Sequence, residues 1–61
     1  MTRAELTQNI ESLFERLYVH DELTAAALEA DYDAHKLTLG MNGLKLLCAT
    51  LEELLAPYEV V

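Results

Sequence analysis

At 61 residues, 52% hydrophobic and 25% charged, the chain is too short to hold a deep pocket beside its own core and too apolar for a disordered tail. Eleven acidic residues against four Lys and Arg give a formal charge of −7. That surplus repels phosphate backbones and anionic membranes, which argues against direct nucleic-acid or membrane binding, and it attracts a basic surface on another protein.

The opening "MTRAELTQNIESL" is too polar for a secretory signal, and no apolar run approaches the ~18 residues of a membrane span. Cys48 is the only cysteine and lies in the apolar run Leu46-Leu47-Cys48-Ala49, so it is read as a small buried hydrophobe rather than a nucleophile. A cytoplasmic protein with no cofactor and no metal is expected.

Thr2-Arg3-Ala4-Glu5 fits a capping box, with Thr2 as N-cap and Glu5 reaching back to its amide. Leu6, Ile10, Leu13, Phe14 and Leu17 follow at helical spacing, so a first helix is predicted over about 3–18. "VHD" breaks the pattern and offers Asp21 as the next N-cap. The second helix opens alanine-rich, and Ala27, Ala30 and Ala34 are expected to receive Leu13, Phe14 and Leu17 across an antiparallel pair.

The stretch "HKLTLGMNGLKLL", residues 35 to 47, carries two opposed signals. Asn-Gly is a turn dipeptide, and two glycines inside a helix cost about 2 kcal/mol against alanine. Against that, Leu23, Ala27, Ala30, Ala34, Leu37, Met41, Leu44, Cys48, Leu51, Leu55 and Tyr58 keep alternating steps of four and three without a slip. The unbroken register favours one long second helix, about 22–56, passing through Gly40 and Gly43. The alternative is a three-helix bundle with a turn at 40–43. Pro57 ends the last helix and "PYEVV" is a short tail.

The fold class predicted is therefore all-α: a single helical domain over 1–61, built as a helical hairpin with a short and a long helix. A first helix of roughly 24 Å covers only part of the second. Leu37, Met41, Leu44, Leu47, Cys48, Leu51, Leu54 and Leu55 would then lack a partner within the chain. A homodimer with a four-helix arrangement buries them most simply.

Chemical motifs fail one by one. "DYDAHKLTLGMN" starts like a calcium loop, but Lys36 replaces the turn glycine and Asn42 stands where a bidentate acid is needed. Asp31 and His35 supply two ligands, too few for a metal site. His20, Asp21 and Glu22 are consecutive and point in different directions. A helix-turn-helix reading leaves "LKLLCATLEELLA" with only Lys45 to meet a groove.

One cluster merits weight: Asp21, Glu22, Glu29, Asp31 and Asp33 around Tyr32, with no Lys or Arg from 17 to 35. Such a face suits a site lined by Arg and Lys, with Tyr32 as an anchor; the bland reading is a solvated helix face. The expected function is a small acidic, non-enzymatic protein-interaction module. In this reading it is a homodimeric inhibitor or regulator of the phage or mobile-element type, occluding a site on another protein. The alternatives are a nucleic-acid mimic that inhibits a nucleic-acid-binding protein, and a structural subunit of a larger complex.

Overall fold

The computed structural model describes residues 2–59. Three helices follow in order, α1 (Arg3–His20), α2 (Glu22–His35) and α3 (Met41–Leu55), and no strand occurs among the described residues. The all-α expectation holds. The last helix ends two residues before Pro57, and of the expected tail Val60 and Val61 lie outside the described residues.

The first helix begins as its sequence dictates. The Thr2 hydroxyl accepts from the Glu5 amide at 3.2 Å, and the Glu5 carboxylate accepts from the Thr2 amide at 3.1 Å. Two of the four orphan amides of a helix start are thereby satisfied. Leu6, Ile10, Leu13, Phe14 and Leu17 are all buried. The Asp21 amide donates to Leu17 at 2.7 Å, and the Asp21 carboxylate accepts from Thr24 at 3.2 Å. Asp21 thus ends α1 and caps α2. Contacts of Tyr18 with Glu29 and of Phe14 with Tyr32 show the two helices antiparallel.

The expected long helix of about 22–56 is corrected: α2 stops at His35, α3 starts at Met41, and the break lies at 36–40 rather than at 40–43. The physical reason is a set of hydrogen bonds that reward the break. The His35 carbonyl accepts from the Thr38 amide at 2.9 Å, the Leu39 amide at 3.1 Å and the Thr38 hydroxyl at 2.9 Å. Arg3, at the start of α1, donates to the Lys36 carbonyl at 2.7 Å and to the Leu39 carbonyl at 2.5 Å. One guanidinium therefore holds both ends of the connection. Gly40 is the N-cap of α3 with φ −80 and ψ 175, ordinary extended backbone, so it supplies no left-handed turn. Asn42 and Gly43 lie inside the first turn of α3. A Cβ on Gly43 would sit 3.0 Å from the Leu39 side chain, so this glycine makes room for Leu39.

The apolar register is continuous in sequence but changes meaning at the break. In α3 it is the core: Leu44, Cys48, Leu51 and Leu55 are buried. In α2 and the connection after it the register faces outward, with Leu23 86% exposed, Leu37 91% exposed, and Ala27, Ala30 and Ala34 all turned away from the core. The expectation that these alanines receive Leu13, Phe14 and Leu17 is corrected accordingly. Instead α2 turns Ala25, Leu28 and Tyr32 inward, and Tyr32 meets the Phe14 ring at 5.8 Å. A leucine and a tyrosine remove far more apolar area from water than three alanine methyls.

α3 runs back along α1 in the same direction, since Arg3 meets Leu39, Asn9 meets Cys48 and Arg16 meets Glu59. Both α2 and α3 pack on α1, while their backbones stay apart from each other. The shortest dimension is 14 Å, enough for two layers of helix at the usual 8–10 Å spacing. α1 forms one layer, and α2 and α3 form the other with a gap between them.

Three substitutions test this arrangement. Ala25→Gln should cost about 2 kcal/mol or more in urea unfolding, because it forces a polar amide into a closed core, while Ala27→Gln should stay within about 0.5 kcal/mol of the parent. Equal costs would contradict the inward phase of α2. Gly40→Ser has open space around its Cβ and should stabilise by about 0.5 kcal/mol, through a side-chain cap and a less flexible unfolded chain.

Candidate functional site

The six residues of the expected acidic face separate in space. Successive residues of a helix turn by about 100°, so Glu22, Glu29 and Asp33, seven and four apart, fall on one flank of α2. Asp31 falls on the opposite flank, where it lines the gap toward α3. Asp21 is occupied as the cap of α2. Tyr32 is only 6% exposed and belongs to the core, so it is no anchor for a partner.

The aromatic residue at the acidic flank is Tyr18. Its hydroxyl donates to Glu29 at 2.7 Å from across the helical pair. That hydrogen bond first, then burial, then the charges of Glu29, Glu22 and Asp33, push the phenol above its ordinary pKa. Glu29 therefore binds the half-buried tyrosine directly, and Glu22 and Asp33 lie on the same flank of α2. Asp33 also lies 3.4 Å from Lys36. The register of the helical pair sets this pairing: with Phe14 against Tyr32, position 18 falls opposite 28–29.

The leucine-rich half of the chain is divided too. Leu44, Cys48, Leu51 and Leu55 pack against α1 within the chain, because α3 folds back instead of projecting beyond α1. Leu47 and Leu54 are half-buried, and Leu37 and Met41 are exposed. Between α2 and α3 lies an open groove of about 300 Å³ that no α1 residue lines. Leu28 and Tyr32 form its α2 wall, Leu46, Leu47 and Thr50 its α3 wall, and Leu39 with Gly43 its closed end. Asp31 and His35 are its only charged or ionisable side chains apart from Tyr32.

At the far end, the tail after α3 is clasped to the end of α1. Arg16 binds Glu59 through two guanidinium nitrogens, and the His20 and Tyr58 rings stack at 5.0 Å. Among the described residues, no group of three His, Cys, Asp or Glu side chains is placed to hold a metal ion, no buried side-chain polar atom lacks a partner, and no helix is long and apolar enough to cross a membrane. Comparison with protein-family models, with curated proteins and with solved structures found no match.

The clasp makes a pH-dependent prediction. The Arg16 hydrogen bond holds the Glu59 carboxyl below its ordinary 4.5. A folded pKa below the unfolded one means that the unfolded chain binds more protons, so this contribution is present above about pH 4.5 and is lost as pH falls through the folded value. Glu59→Gln should therefore lower Tm at pH 7, and the gap between variant and parent should close below about pH 4.5. A gap independent of pH would place the effect outside the ion pair.

Proposed function

We propose that this chain is a small acidic protein-interaction module that works without catalysis, docking its acidic flank on a basic surface of another protein and occluding it. The observation that carries this reading is the flank of α2 that bears Glu22, Glu29 and Asp33, with Tyr18 bonded to Glu29 at 2.7 Å, in a chain whose overall charge is −7. A half-buried aromatic beside an acidic helix flank suits an Arg- or Lys-lined site. Such a flank also speeds encounter with a basic partner at low ionic strength. Size supports the inhibitory or regulatory role: two thin layers of helix leave little room for a reaction site and act by covering something.

Charge reversal tests it. A Glu22→Lys, Glu29→Lys, Asp33→Lys triple variant should keep its helical circular dichroism and lose the proteins that the parent captures from a cell extract, as read by mass spectrometry. Raising salt from about 0.1 to about 0.5 M should weaken parental capture in the same way. A captured set that the triple variant retains would overturn the acidic-flank mechanism.

A further inference from the structure

We infer that the groove between α2 and α3 is the seat of a second copy of this chain, giving a two-fold dimer in which α2 and α3 of each protomer complete a four-helix arrangement. The inference deepens the reading of the chain as an interaction module, resting on it only in leaving the acidic flank free for the other partner.

Two observations favour a second copy over any other occupant. The first is shape. Leu46, 69% exposed, stands at the α3 rim of the groove as an apolar projection, and the space beside it is floored by Leu28 and Leu47 and widened by Gly43. Projection and recess lie on one surface, and a two-fold axis requires that kind of self-complementarity: each Leu46 enters the groove of the other protomer.

The second is charge. Two chains of −7 repel, so copies can meet only where the acids are sparse. The groove is such a place: Asp31 is its one carboxylate, and its neighbour His35 approaches it at 3.7 Å. Glu22, Glu29 and Asp33 occupy the opposite flank of α2 and stay outside the contact. The α3 acids Glu52 and Glu53 lie outside the groove lining.

The occupant has a direct test in the solution mass of the full chain by sedimentation or light scattering at micromolar concentration. The parent should weigh twice its 6.9 kDa. Leu46→Glu, at an exposed position, should keep its helical signal and weaken dimerisation by at least about 30-fold, as loss of a central apolar anchor does. Leu23→Glu, on the outward face of α2, should leave the dimer intact. Raising salt should tighten the dimer, because the copies repel, whereas it weakens capture of a basic partner.

A parent that stays monomeric at about 100 µM overturns the inference; the groove is then open or takes a different chain. A dimer untouched by Leu46→Glu, or broken equally by Leu23→Glu, overturns it as well. The Glu22, Glu29, Asp33 triple variant separates the two readings. If it loses capture yet stays dimeric, each reading stands. A parent that captures partners as a monomer ends only the dimer, and a dimer whose capture ignores the triple reversal ends only the acidic flank.

Discussion

The apolar stripe of α1 has to serve two neighbours at once, and the rest of the structure follows from how it does so. Leu6, Ile10, Leu13, Phe14 and Leu17 are each no more than 2% exposed, yet they lie on a single 18-residue helix. α2 takes one side of that stripe with Ala25, Leu28 and Tyr32, and α3 takes the other with Leu44, Cys48, Leu51 and Leu55. A helix so shared cannot also draw its neighbours together. The gap between α2 and α3 is therefore a consequence of the core.

Arg3 makes the arrangement possible. Reversing the chain within the five residues between α2 and α3 leaves carbonyl groups without helical partners, and the guanidinium supplies donors to two of them from the beginning of α1. Five donors in a planar fork suit this task, where a lysine would present only a point charge. The result ties the first turn of the chain to its middle. The Arg16–Glu59 pair ties the end of α1 to the tail in the same manner. Both clasps are polar and near the surface, so they direct the path of the chain more than they add to its stability.

Much of this fold is legible in the amino-acid sequence. The capping box at Thr2 and Glu5, the five inward residues of α1 and the cap at Asp21 all carry strong local signals, and all are present. The break at 36–40 is harder to read, because alanine is nearly indifferent to water and keeps an apparent apolar register on either face of a helix. In α2 that register makes Ala27, Ala30 and Ala34 look inward, while burial of Leu28 and Tyr32 decides the opposite rotation. Arg3 sits beside a capping box, and nothing local points to carbonyls 33 and 36 residues away. Long-range polar contacts of that kind have no periodicity to betray them. Tyr18 is inconspicuous for a related reason: its relation to Glu29 emerges only when the two helices are laid antiparallel.

The same division of labour places the proposed binding surfaces on the least anchored element. α2 commits little to the core beyond Ala25, Leu28 and Tyr32, and it carries the acidic flank on one side and a wall of the groove on the other. α3, with four buried residues, is held far more firmly. In a domain this small, total stability is a few kcal/mol, and segments with few buried contacts open first. Any partner that binds only the folded form adds to that stability by mass action. A second copy seated in the groove would hold α2 from the side that α1 leaves bare, and would present two acidic flanks facing outward. The proposed binding surface and the weak attachment of α2 then have one origin: the face not needed for the core is the face left open.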